Sequence, residues 1–290
     1  MKRLIALLSG TVLVALSACG PGESGSLGPA PTGVPPSTAP ATQSPTPVTS
    51  PSSSPDVQDS STITIQVWLT QGDKLYPTRR TRPHTFTTSR LALTELIAGP
   101  STVEADAGVF NAIAVDTTFE IKGIAAGVAT VNFPKSFYAG GRDAARLRQA
   151  QVVYTLTQFP TVSRVGFQSA GEPAGWPVGR SDYADLLPRI VVTSPVIGQR
   201  ISSPVTVSGT ADVSESTVSV RILDAAGNEI ATRFTTATCG NGCRGDYSMT
   251  VPYQLCGERA GVVEVYEVSL EDGSRISVVG IPVVLAACPR

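Results

Sequence analysis

The chain has 290 residues, of which 41% are hydrophobic and 16% charged, and its formal net charge is −1. That length leaves room for two domains of ordinary size once a leader and a linker are set aside. A near-neutral balance provides no field to recruit nucleic acid, so no nucleic-acid partner is expected.

The chain opens on Lys2 and Arg3, followed by an apolar run from Leu4 to Leu16 that only Ser9, Gly10 and Thr11 interrupt. This is the layout of a secretory signal over residues 1–18, and the run is too short for a comfortable transmembrane helix. The string Leu16-Ser17-Ala18-Cys19 resembles the lipobox of bacterial lipoproteins. The resemblance implies cleavage after Ala18 and acylation of the Cys19 thiol, with the lipid anchoring the chain to the outer face of the cell membrane. The alternative is an ordinary secretory signal followed by a chance cysteine. Loss of Lys2 and Arg3 with the signal would bring the net charge to about −3.

Residues 19–61 follow the signal as a tether of Pro, Ser, Thr, Gly and Ala, with Leu27, Val34, Val48 and Val57 as its only large aliphatic side chains. Such a composition cannot bury enough surface to offset backbone ordering, so a disordered spacer is expected, spanning roughly 35 to 40 Å as a flexible coil.

The first globular domain is expected over residues 62–186. Ile63, Ile65, Val67 and Leu69 alternate with Thr62, Thr64, Gln66 and Trp68, the period of a half-buried strand. The polar, basic stretch from Gln71 to Thr85 reads as a connection. A helix capped at Thr88 or Ser89 carries Leu93, Leu96 and Ile97 and stops at Gly99-Pro100. Two strands, from Thr117 to Ile124 and from Gly127 to Phe133, make a hairpin. A longer helix from Arg142 to Gln158 carries apolar residues on opposite sides and so contacts protein on more than one face. Pro160 ends it, and Thr161 to Phe167 gives a last strand. The order βαββαβ predicts an α/β sandwich-type domain.

Three strings carry a family likeness: Leu91-Ala-Leu-Thr-Glu-Leu-Ile-Ala-Gly-Pro100, Gly127-Val-Ala-Thr-Val-Asn-Phe133 and Ala150-Gln-Val-Val-Tyr-Thr-Leu-Thr-Gln-Phe-Pro160. They resemble the GerMN domain of sporulation and spore germination proteins across about 110 residues. In physical terms they look like core and caps, so the resemblance implies a fold and names no reaction.

Two sets of residues here are candidates for ligand contact. Arg79, Arg80 and Arg82 lie with Lys74 and His84, the chain's only histidine, in one short segment. Guanidinium forks match phosphate geometry, which makes this an anion-binding loop on one reading. The preferred reading is a solvated loop with one arginine tied to a core carboxylate. Trp176 and Tyr183, in the joint after the first domain, form a carbohydrate platform on one reading; the preferred one has them fill the seam between domains.

The second domain, residues 188–288, lacks helix signals. Seven short candidate strands begin at Ile190, Val205, Thr217, Glu229, Gly245, Val262 and Arg275, with turn chemistry at Asp224-Ala-Ala-Gly-Asn228 and Glu271-Asp-Gly-Ser274. This predicts an all-β immunoglobulin-like sandwich, so the whole chain is α+β. Ile190-Val-Val-Thr-Ser-Pro195, Val205-Thr-Val-Ser-Gly-Thr210 and Gly245-Asp-Tyr-Ser-Met-Thr-Val-Pro252 resemble the immunoglobulin-like domain of bacterial spore germination. With Cys19 set aside, four cysteines remain, and an oxidising compartment makes them two disulfides with three possible connectivities. The pairing chosen is Cys239 with Cys243 and Cys256 with Cys288. A zinc site is the alternative, but no Cys-x-x-Cys knuckle is present.

No nucleophile elbow, zinc-protease helix or phosphate loop occurs, and any mechanism that needs a histidine must use His84. The expectation is therefore a non-catalytic, lipid-anchored envelope protein with no cofactor and no metal. It presents two interaction modules to an envelope protein or cell-wall partner, in the class of germination and sporulation lipoproteins. The alternative is a protein that binds cell-wall glycan or anionic polymer.

Overall fold

The computed structural model describes residues 61–287. The signal, nearly all of the tether, Cys19 and Cys288 lie outside the described residues. The fold begins with a long hairpin. Strand β1 (Thr62–Gln71) pairs with β2 (Lys74–Pro83) in unbroken antiparallel register from Thr62↔Pro83 to Gln71↔Lys74. The two-residue turn sets Gly72 at φ +61°, the left-handed position that a type II′ turn requires first.

The basic stretch after Gln71 is thus a strand, not the expected connection. Its loop-like composition is what an edge strand tolerates. Its prolines are accommodated by register: Gln66 and Trp68 turn their backbone groups away from β2, so alternate pairs are non-hydrogen-bonded. Pro83 and Pro77 stand opposite Thr62 and Trp68 in that phase, where a missing N–H costs no ladder bond.

Helix α1 (Thr88–Ala98) ends at Gly99, and α2 (Thr102–Asp106) starts from a capping box in which Ser101 and Glu104 satisfy each other's backbone N–H. Strand β3 (Val109–Phe110) adds to the other edge of β1 at Thr70 and Gln71 only. A second sheet follows: β4 (Glu120–Ala125), β5 (Val128–Phe133), then α3 (Arg142–Leu156), β6 (Arg164–Ser169) and β7 (Glu172–Pro173), in the order β4-β5-β6-β7. Strands β5 and β6 are parallel, with α3 as their crossover. Residues Ala150 to Leu156 of α3 are all buried, because the helix packs against α1, β1 and β6. A 3-10 segment, Arg180–Leu186, leads to the second domain.

That domain is a sandwich of two sheets. One has the order β13-β10-β8, from β8 (Ile190–Ser194), β10 (Val205–Ala211) and β13 (Gly245–Val251). The other has the order β12-β11-β14-β15-β9, from β9 (Arg200–Ile201), β11 (Thr217–Asp224), β12 (Glu229–Thr236), β14 (Arg259–Val268) and β15 (Arg275–Leu285). Alternation fills the space between them: Val205, Val207 and Ala211 from β10, and Tyr247, Met249 and Val251 from β13, point inward. All seven expected strands are present. The two-residue β9, which pairs parallel to β15, is too short to leave a periodic signal. One apolar cluster runs through both domains, and β2 meets β8 across the joint.

Candidate functional site

The three arginines of β2 have three different surroundings. Arg80 turns inward: its Nη1 and Nη2 donate to the two carboxylate oxygens of Glu104 at 2.9 and 2.6 Å, and Nη2 also reaches the Gly99 carbonyl. Glu104 is only 2% exposed and also accepts from the Thr78 hydroxyl and the Ser101 N–H. Burial alone would raise its pKa, but the hydrogen bonds from Arg80, Thr78 and Ser101 outweigh it and hold the carboxyl below its ordinary value. Arg80 is therefore the arginine tied to a core carboxylate and is not available to a ligand. Arg82 forms a bidentate pair with Glu95 at 2.8 Å for both bonds. Arg79 is exposed, and among the described residues its side chain meets no carboxylate. His84 is exposed too, its ring edge-on to Phe86 at 5.6 Å.

Trp176 and Tyr183 do not come together. Trp176 is 90% exposed, whereas Tyr183 is buried beneath the Arg146 guanidinium, 5.3 Å from the ring, with its hydroxyl at Gln149. Burial pushes the Tyr183 phenol up to about 12. Trp176 does not fill the seam, and the two residues share no platform. Cys239 and Cys243 are joined across the Gly240-Asn241-Gly242 turn, with Cα atoms 5.5 Å apart. Cys256 is exposed, and its expected partner Cys288 lies outside the described residues.

The family string of α3 has a specific structural task. The edge of β1 that β3 leaves uncovered would expose the backbone of Gln66 and Trp68 inside the domain. Three residues spaced four and three apart cover it, Gln151 and Thr155 on α3 and Gln158 just past its end. Gln158 accepts from the Gln66 N–H and donates to its carbonyl, both at 2.7 Å. The Thr155 hydroxyl accepts from the Trp68 N–H at 3.1 Å, and the Gln151 amide donates to the Trp68 carbonyl at 3.0 Å. A helix here substitutes for a strand, and amide side chains provide the donor and acceptor that a strand's backbone would supply.

Trp68 and Tyr154, whose rings lie 4.8 Å apart, stand at the seam. They wall a recess of about 320 Å³ between the domains, which Leu187, Val191, Arg180 and Arg244 also line. Arg180 lies 5.0 Å from the Tyr154 ring and 5.9 Å from that of Trp68. Arg244, next to the Cys239–Cys243 bridge, donates to the Pro188 carbonyl at 2.6 Å and reaches the Arg189 and Thr210 carbonyls, fastening the linker to β10. Sequence reasoning passed over these four residues. One signal was available: a tryptophan on the polar side of the β1 alternation marks a second buried face.

Two close pairs of carboxylates stand in the sequence, Asp182 with Asp185 and Glu271 with Asp272, and three of the four have structural partners. Asp182 accepts from the Gly179 N–H, Asp185 takes a bidentate bond from Arg146, and Asp272 accepts from the Ser274 N–H within its turn. Among the described residues, no group of three or more His, Cys, Asp or Glu side chains converges.

Two family models match the chain. The model described as sporulation and spore germination covers residues 55–175, and the one described as the immunoglobulin-like domain of bacterial spore germination covers residues 189–274. No curated protein matches it. Among solved structures, the tandem GerMN domains of the sporulation protein GerM from Bacillus subtilis are similar at 15% identity and a TM-score of 0.37, over 66% of this chain and 62% of that one. The first GerMN domain of the same protein is similar at 21% identity and a TM-score of 0.32, over 41% of this chain and 95% of that one. The two family models cover the two folded domains in order: a GerMN-type sporulation and spore germination domain is followed by the immunoglobulin-like domain of bacterial spore germination.

Proposed function

We propose that this chain is a non-catalytic, lipid-anchored envelope protein that presents its two domains as interaction modules on the outer face of the cytoplasmic membrane. The observation that carries the reading is Cys19 directly after Leu16-Ser17-Ala18, behind a charged and then apolar leader. The absence of catalysis is supported by the engagement of Asp182, Asp185 and Asp272 in caps, ion pairs and turns, and by the exposure of His84 beside an aromatic ring. The test is fractionation of cells that express wild type or Cys19→Ala. Wild type is expected in the membrane pellet and the variant in the soluble fraction; a variant that still sediments with membranes overturns the anchor.

A second reading, binding of cell-wall glycan or anionic polymer, draws support from the exposed Trp176 indole and Arg79 guanidinium. Pull-down on isolated wall material tests it, with retention above a denatured control expected and its loss in Trp176→Ala. Retention equal to the denatured control removes this reading.

A further inference from the structure

Two arginines that this fold draws inward are neutralised by acids, Arg80 by Glu104 and Arg221 by Glu264. Arg180, exposed, and Arg244, half-buried, share one recess. Among the described residues, neither has a carboxylate within ion-pair distance. Arg180 donates only to the Thr157 hydroxyl and the Tyr154 carbonyl, and its Nη1 makes no hydrogen bond; Arg244 spends its two terminal nitrogens on Pro188, Arg189 and Thr210 and keeps Nε unused. Asp212 accepts from the Gly242 N–H and forms no ion pair with Arg244. Both guanidiniums line the recess beside Tyr154, and Arg180 lies 5.0 Å from its ring. Two like charges that line one recess without a counter-ion repel each other, and an anion that enters the recess relieves that repulsion. The other walls combine apolar Trp68, Leu187 and Val191 with polar Gln66, Ser181 and Thr193, in a volume suited to a small molecule.

We propose that the interdomain recess is a binding site for a small oxyanion, phosphate or carboxylate, carried on an apolar or planar body, with Arg180 and Arg244 holding the anion and Trp68 and Tyr154 flanking the body. The site lies wholly in the folded domains and does not depend on lipid anchoring or on the Trp176 surface.

The test uses the full chain carrying Trp176→Phe, which leaves Trp68 as the only tryptophan and therefore as a reporter inside the recess. Phenyl phosphate, benzoate, inorganic phosphate and benzyl alcohol are titrated separately. Saturable change in Trp68 fluorescence is expected with phenyl phosphate or benzoate, and the stronger of the two tells phosphate from carboxylate sources. Inorganic phosphate should bind more weakly and benzyl alcohol not at all. Arg180→Gln should weaken binding at least ~10-fold, as loss of a charge-assisted bond does. Arg244→Gln should act alike where circular dichroism shows it folded; because Arg244 also holds the linker, Arg180→Gln alone carries the test if it is not. No saturable response to either aromatic anion at 10 mM, set as roughly a hundredfold above a ~0.1 mM site, overturns the proposal, as does equal binding by folded Arg180→Gln.

Discussion

The two domains solve the same problem, an interior lined with backbone that must be hydrogen-bonded, in different ways. In the second, strands pair with strands across both sheets, and its buried polar side chains are Ser219 and Glu267. The first domain leaves most of one edge of β1 without a strand and seats a charged pair beneath α2. Thr70, Thr78, Glu104, Gln151 and Thr155 are buried there, each with a backbone or ionic partner. Where backbone pairs with backbone, many side chains fit the requirement. Where a side chain stands in for a strand, its identity is fixed, because a buried donor or acceptor left unmatched costs its full desolvation.

The largest effect should come from Glu104→Ala, which leaves the Arg80 guanidinium, 13% exposed, without its counter-charge. A loss of about 3 to 5 kcal/mol is expected in urea unfolding. The sign with pH follows from the direction of the shift. The folded carboxyl titrates below the unfolded one, so its contribution is present above the ordinary value of 4.5 and is lost as pH falls through the lower folded value. Glu104→Gln should flatten that acid limb. An unchanged limb would show that other carboxylates govern acid unfolding.

Gly209→Ala probes the second domain where backbones approach most closely. A Cβ there would collide with the Val191 carbonyl and stand 2.8 Å from the Tyr247 hydroxyl, at the irregularity where β10 shifts register against β8. About 3 kcal/mol is expected. Gln151→Ala, in the first domain, strands the Trp68 carbonyl and the Ala112 N–H and should cost about 2 to 3 kcal/mol. Hydrogen exchange sharpens the contrast: Gln151→Ala should raise exchange at Ala112, Gln66 and Trp68 while the β10 amides stay protected. Uniform loss of protection would mean that the edge is not an independent element.

The smallest effect is expected for Cys243→Ser, about 2 kcal/mol for so short a ring. Because Arg244 follows directly and holds the Pro188 carbonyl, the variant should also increase proteolysis at residues 187–190, which removal of a distant staple would not do.

Periodicity located α1, α3, β1 and the seven longer strands of the second domain, since a half-buried strand and a two-faced helix each impose their own spacing on apolar residues, but it missed the polar β2 and the short α2. The strings around Ala150 to Pro160 and Gly245 to Pro252 carried the family likeness for the same reason: they are caps, core positions and edge partners that the fold cannot exchange freely. What tertiary structure decided is which polar residue goes where. Arg79, Arg80 and Arg82 look alike in sequence, and only the approach of α1 and α2 to β2 separates an exposed cation from a buried pair and a surface fork. Trp176 and Tyr183, close in sequence, end in solvent and in the core. Arg180 and Arg244, 64 positions apart, meet at one recess because β10 and β13 bring the Cys239–Cys243 turn back to the joint. Such encounters depend on long-range packing, and no local pattern encodes them.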